Sequence, residues 1–328
     1  MQEKAVVYIN SDDSGRGFLG AGGSQALETF VDEIAQNVID PQANVSVFDR
    51  AKAHELVDAS SAKAKKEILE RKGSRLEALG SGSDFSSFLQ HLGIPTLNVG
   101  YGGEDGGGEY HSIYDSYDDY VRFKDPGFKY GVTLAQTTGH AVLRMADADL
   151  LPFDFRSLYK TLDKYAKEVS ELAEKMRENT EMDNQLIKSN DYAIAADPTK
   201  HEQLPVAKAE VPKLDFSALK TALDSLKKSA DKLALSWTAA SATDADKDKL
   251  NKLLFHAEQQ LLSAEGLPRR PWYRHTIYAP GFYTGYGVKT LPGIREAIEQ
   301  RNFTEAQQQI GVVAGSIMQL ATYLAKPL

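Results

Sequence analysis

An apolar run, AVVYI at 5–9, ends at Asn10 and is followed by two adjacent carboxylates, Asp12 and Asp13. In open α/β sheets ligands sit outside the carboxyl ends of the strands, and a carboxylate there is a good hard metal ligand. On composition alone the pair reads as a solvated turn; its position is what argues for a ligand. Tyr110-His111 lies in a polar, glycine-heavy loop (101–120) that follows a second apolar run at 94–99. An imidazole in such a loop is a candidate ligand or acid/base group, although a loop histidine taken singly reads as solvated. GSGSDF at 80–85 offers small residues that let a substrate backbone approach closely, and Asp84 equally suits the cap of the next helix. His275, within RHTIYAP, has a polar aromatic neighbourhood and reads equally as a packing residue. The other histidines (54, 91, 140, 201, 256) fall in helical or linker contexts.

Gly15, Gly17 and Gly20 spell G-x-G-x-x-G, the form of a dinucleotide-binding turn. That turn needs its first glycine directly off the strand and its last in the opening of the helix, where free N–H groups meet the pyrophosphate. Here four polar residues (11–14) precede Gly15, and the helical pattern starts only near Ser24. No acidic residue closes a second strand at the required distance. The spacing argues against a nucleotide and for a flexible glycine loop between strand and helix.

The elements that must position these groups change character along the chain. Residues 5–9 read as a buried strand, and Leu27, Phe30, Val31, Ile34 and Val38 give the next helix an apolar face. A charged helix at 51–72, a short helix at 86–92, a strand at 94–99 and a helix at 126–147 follow. Strands alternating with helices imply an α/β layer. Beyond residue 150 strand signals nearly vanish, and amphipathic helices at 154–179, 215–236, 244–264 and 303–325 suggest a four-helix bundle. A proline-bearing linker (187–213) and a long aromatic segment (266–293) interrupt them. The expectation is two domains, 1–150 and 151–328, the first α/β and the second all-α.

Composition limits the classes. The 328 residues include no cysteine, so disulfides and thiolate metal sites are excluded and any metal must use histidine and carboxylate. A net charge of -8 with interspersed lysines argues against a nucleic-acid partner. No stretch approaches the roughly 18 apolar residues of a membrane span. Residues 1–10 lack the pattern of a secretory signal, which implies a cytosolic chain or a leader outside these residues.

Several blocks, in order, resemble the glutamate carboxypeptidase II family, co-catalytic zinc peptidases that share their architecture with the transferrin receptor. They are YINSDDS, LGSGSDFSSFLQHLGIP, YHSIYDSYDDY, KDPGFKYGVTLAQTTGHAVLRMAD, LPFDF, GLPRRPWYRHTIYAPGF and LPGI. The resemblance runs from the first residues to the last helix and implies the distal part of a zinc-peptidase α/β domain, a mixed sheet with flanking helices, followed by a helical dimerisation domain. It makes Asp12 and His111 zinc ligands and Tyr110 a stabiliser of the tetrahedral oxyanion. It makes Gly82 and Ser83 contacts to substrate backbone, Asp84 an acid supporting that loop, and Tyr286 part of the pocket for the substrate's C-terminal residue. The implied location is secreted, periplasmic or membrane-anchored extracellular.

Departures go with the resemblance. Gly285 stands where the family has a lysine beside the pocket tyrosine, and Gly22, Asn98 and Gly100 stand where it has an arginine patch, so a preference for glutamate does not carry over. A two-metal peptidase site needs about five ligand groups and a general base. The family's His-x-Asp and Glu-Glu pairs precede the position of Asp12 and have no counterpart here, and Asp12 and His111 serve different zinc ions. The expectation is the back half of a homodimeric zinc-dependent exopeptidase acting on peptides, with the isolated chain inactive. The rival is a non-catalytic dimerisation scaffold like the transferrin receptor.

Overall fold

The computed structural model describes residues 1–71, 73–238 and 243–326. Its first part is a mixed sheet built from β1 (Tyr8–Asn10), β2 (Gly17–Gly23) and β3 (Thr96–Gly103), with β3 in the centre. β1 runs parallel to β3, with Tyr8 opposite Thr96, and β2 runs antiparallel to it, with Gly20 opposite Gly100.

β2 corrects the expectation of a glycine loop between strand and helix. A Cβ at Gly17 would stand 1.9 Å from the Gly102 carbonyl oxygen, and one at Gly23 would stand 2.0 Å from that of Thr96. Both glycines have φ near +140°, outside the ordinary range of other residues. The glycines therefore serve close backbone approach between two strands, which is why their spacing fails the nucleotide pattern.

Helix α1 (Glu28–Ala35) buries Phe30, Val31 and Ile34, as the periodicity predicts. The single helix expected over 51–72 is two, α2 (Val47–Asp58) and α3 (Ala62–Glu70). A serine starts each: Ser46 Oγ accepts the Asp49 N–H at 3.0 Å and Ser61 Oγ that of Ala64 at 3.1 Å, and the second cap divides the run. A wide helical turn over Ser87–His91 leads to β3, and the single turn α4 (Tyr117–Asp119) leads to α5 (Lys129–Ala146). Buried Asp125 holds the start of α5 by accepting the N–H groups of Tyr130 and Gly131 at 3.1 and 2.8 Å.

The second part contains α6 (Phe155–Lys188), α7 (Asp191–Ala195), α8 (Ser217–Thr238), α9 (Asp244–His256), α10 (Pro292–Glu299) and α11 (Phe303–Leu324). α11 lies along α8, α8 packs on α6, and α10 reaches both α11 and α6. The helix expected over 244–264 ends at His256, and a 3-10 turn over Glu258–Leu261 carries its contact to α11. Between them β4 (Tyr278–Pro280) and β5 (Val288–Thr290) form an antiparallel hairpin. The apolar core is continuous from Leu27 and Phe30 through Leu158 and Leu162 of α6 to Ile310 and Ile317 of α11. Among the described residues no helix is long and apolar enough to cross a membrane.

Candidate functional site

The carboxyl end of β1 is organised by Asn10, which is only 6% exposed. Its Nδ2 donates to Asp12 Oδ1 at 2.8 Å, to Ser83 Oγ at 3.0 Å and to Asn98 Oδ1 at 2.7 Å. Its Oδ1 accepts the Tyr8 hydroxyl at 3.0 Å. An amide has two protons, so three acceptors, one just past β1, one on β3 and one in the 80–85 loop, share one donor group. Tyr8 stacks on Phe88 with ring centroids 3.9 Å apart, which fixes the phenol over the same edge. Burial raises its pKa, and the charges of Asp84 and Asp12 raise it further. Asp12, Ser83 and Asp84 therefore stand around one point at the strand end, with Asp12 itself exposed.

The hairpin brings Tyr286 to the same loop. The Ser81 N–H donates to the Tyr286 carbonyl at 3.0 Å, and a Cβ on Gly80 would stand 1.9 Å from that oxygen. At Gly82, with φ +99°, a Cβ would meet the Tyr286 ring at 2.9 Å. The phenol lies over bare backbone, and the ring remains 58% exposed. Gly82, Ser83 and Tyr286 form one wall.

Tyr110 and His111 stand on the neighbouring loop, both exposed, with their rings stacked at 3.7 Å. His111 has φ +61°, a left-handed conformation that turns the chain sharply. The Tyr110 hydroxyl has no hydrogen bond among the described residues. An ion pair between Glu109 and Lys124 anchors the base of the loop, and the Lys124 carbonyl accepts the Arg16 N–H at 3.0 Å. The Glu109 hydrogen bond raises the Lys124 pKa most, and the charges of Glu109, Asp13 and Asp115 add to it. No described hydrogen bond or ion pair joins Tyr110 or His111 to Asp12.

Zinc sites take three or four protein ligands. Among the described residues no three histidine, cysteine, aspartate or glutamate side chains group so as to hold a metal. The donor set of this chain does not fit a dinuclear centre by itself.

His275 is a packing residue. It is fully buried, its Nδ1 accepts the Ile277 N–H at 3.2 Å, and its Nε2 therefore carries the proton that meets Glu258 Oε1 at 3.0 Å. The Tyr278 hydroxyl donates to the same oxygen at 2.7 Å. Sequence reasoning passed over Asn10, Tyr8 and Lys124. A polar residue closing an apolar strand one step before a carboxylate pair was the available signal for Asn10.

At the positions where the resemblance expects an arginine patch, Gly22 is buried, and a Cβ there would stand 2.7 Å from Leu79 and 3.0 Å from the Glu77 carbonyl. A Cβ at Gly100 would stand 3.0 Å from the Asp13 carbonyl. Neither glycine position takes a long side chain without movement of its neighbours.

Residues 214–325 match the family described as the transferrin receptor-like dimerisation domain. The chain is 31% identical over 91% of its length to the probable glutamate carboxypeptidase LAMP1 of Arabidopsis thaliana, of which it covers 36%. It is 30% identical over 77% of its length to a probable glutamate carboxypeptidase of Arthroderma benhamiae, covering 31% of that protein. It is 22% identical over 97% of its length to the aminopeptidase NAALADL1 of Mus musculus, covering 40% of that protein. The chain thus spans about a third of the length of these curated relatives. The chain thus carries a transferrin receptor-like dimerisation domain over residues 214–325 and is similar, over most of its length, to proteins named probable glutamate carboxypeptidases.

Proposed function

We propose that this chain is the substrate-facing and dimerising part of a zinc-dependent exopeptidase of the glutamate carboxypeptidase type. Residues 1–150 form the distal part of the peptidase domain and 151–328 the helical domain, a four-helix arrangement through which two copies associate. In this reading Gly82 and Ser83 present backbone and hydroxyl to the substrate peptide, and Tyr286 packs against its C-terminal residue. The free Tyr110 hydroxyl donates to the carbonyl oxygen as charge develops there. Asp12 and His111 are single donors to two zinc ions whose other ligands lie outside residues 1–328. The chain by itself is inactive.

The observation that carries this reading is the convergence of Asp12 and Ser83 on Asn10, beside a Gly82 covered by Tyr286. A scaffold needs no exposed carboxylate held beside a bare glycine backbone and an exposed phenol. The incomplete donor set is what favours the rival scaffold reading.

The test is a peptidase assay with zinc on two preparations, the isolated chain and the longer polypeptide of the same reading frame. The reading expects turnover in the longer polypeptide alone, lost in Asp12→Ala and His111→Ala. Absence of turnover in both, with a stable dimer by sedimentation, would favour the scaffold.

A further inference from the structure

With no bond of their own between them, Asp12 and His111 are spaced by whatever ties their two segments together. Tyr110 and His111 sit on a turn that closes on itself: the Ser112 N–H and hydroxyl both donate to the Glu109 carbonyl, at 2.9 and 2.6 Å. Upstream of it come Gly106, Gly107 and Gly108, where an added Cβ would meet nothing within 4 Å, the last two at φ +56° and +100°. A bare glycine run of this kind transmits no fixed position from β3 to the turn. Among the described residues one ion pair, Glu109 with Lys124, fastens residues 109–111 to the rest of the chain.

Both side chains of that pair are largely shielded, Lys124 at 14% and Glu109 at 16% exposure. The Lys124 backbone is held from the other side. Its carbonyl accepts the Arg16 N–H at 3.0 Å and the Arg16 Nε–H at 3.3 Å, and Arg16 Nη2 donates to the Phe123 carbonyl at 2.8 Å. The Ser14 and Tyr120 hydroxyls, 2.9 Å apart, join the same two segments again. Lys124 is therefore bonded through its backbone to the segment that carries Asp12 and through its ammonium to the turn that carries His111.

We propose that Lys124 is a positioning residue of the site: through Glu109 it sets where Tyr110 and His111 stand relative to Asp12. The roles of those three groups rest on the peptidase reading; the tie itself does not. Displacement by about 1 Å is enough to spoil the action of a group at a reacting centre, so a turn on a glycine run needs such a fastening. A single ion pair near the surface contributes little to global stability. Its loss should therefore free the turn while leaving the fold in place.

The test uses the full 328-residue chain, whose lack of cysteine allows two to be added and labelled uniquely. Ser11→Cys marks the Asp12 segment, and Ile113→Cys, at a position 89% exposed, marks the turn. Double electron–electron resonance between nitroxides on the two reads the distribution of their separation. The expected result is a narrow distribution in this labelled chain and one wider by about 5 Å or more when Lys124→Met is added, as a glycine-rich tether allows. Glu109→Lys should widen it as well, and the exchange of both charges, Lys124→Glu with Glu109→Lys, should narrow it again, which a general loosening of packing would not do. Lys129→Met, a lysine outside the tie, should leave the distribution as it was. Should Lys124→Met fail to fold by circular dichroism, Glu109→Gln removes the pair from the side of the turn. A distribution already broad with Lys124 in place, one equally narrow without the pair, one that the double exchange leaves broad, or one that Lys129→Met widens as much overturns the proposal. Neither metal nor hydrolysis enters the measurement, so its failure and a failed peptidase assay are separate results.

Discussion

The Asn10 amide stands 2.8 Å from the Asp12 carboxylate and 3.0 Å from the Ser83 hydroxyl, joining a candidate metal donor to a candidate substrate loop through one buried side chain. Asn10→Ala leaves several polar groups at the strand end without their donor and should cost about 1–3 kcal/mol of stability. Asn10→Asp should cost more at neutral pH, since it sets a second carboxylate against Asp12. Urea unfolding of the two variants decides this. Losses below about 0.5 kcal/mol in both would show that Asn10 does not organise the edge.

Tyr286 and the 80–82 backbone should show a specific coupling. Gly82→Ala suffers from its positive φ and from the Tyr286 ring, whereas Gly80→Ala meets the Tyr286 carbonyl. Each should lower stability by about 1–3 kcal/mol. In a Tyr286→Ala background the Gly82→Ala loss should shrink without vanishing, and the Gly80→Ala loss should persist. A double-mutant cycle by thermal unfolding separates the two.

Glu28 is the clearest source of pH-dependent stability. Burial pushes its carboxyl up to about 7, against an ordinary value of 4.5, and the charge of Asp32 contributes a smaller rise that the Leu76 N–H and two arginines partly offset. With the folded pKa above the unfolded one, the native state holds the proton more tightly between pH 4.5 and 7. Stability is therefore highest on the acid side of that window and falls as pH rises through it. Glu28→Gln should flatten this fall and stabilise the protein by about 1–3 kcal/mol at pH 8, with little effect at pH 4. Denaturant unfolding at the two pH values measures the difference; an equal effect at both would contradict it.

Glu258 lies buried beneath the hairpin and accepts from His275 and Tyr278. Glu258→Ala orphans both donors and should cost about 3–5 kcal/mol, with Glu258→Gln milder because it keeps an acceptor oxygen. The Tyr278 hydroxyl, held well above its ordinary pKa by burial and then by the Glu258 charge, should resist ionisation in alkaline ultraviolet titration until the protein unfolds.

Much of the scaffold was legible in the sequence because it is periodic. Leu158 and Leu162 of α6, Leu219 and Leu226 of α8, and Ile310 and Ile317 of α11 recur at helical spacing and are buried. β2 was not legible, since its glycines answer to the backbone of β3, more than 70 residues away in sequence: Gly23 passes Thr96, and Gly17 passes Gly102. The split between α2 and α3 hung on the single cap at Ser61. In the site, Asp12 and Ser83 stood out by residue type, but the Asn10 that joins them carries no chemistry of its own and shows its role only through distances. Tyr286 was placed by resemblance; its carbonyl bond to Ser81 and its ring above Gly82 give the physical reason for that loop's glycines.

The most direct measurement is calorimetric titration of the isolated 328-residue chain with zinc. Asp12 and His111, as lone donors, should give no stoichiometric binding tighter than about 1 μM. Two zinc ions bound more tightly than that, and released by Asp12→Ala and His111→Ala, would show a complete metal centre within this chain and contradict the division of the site proposed for it.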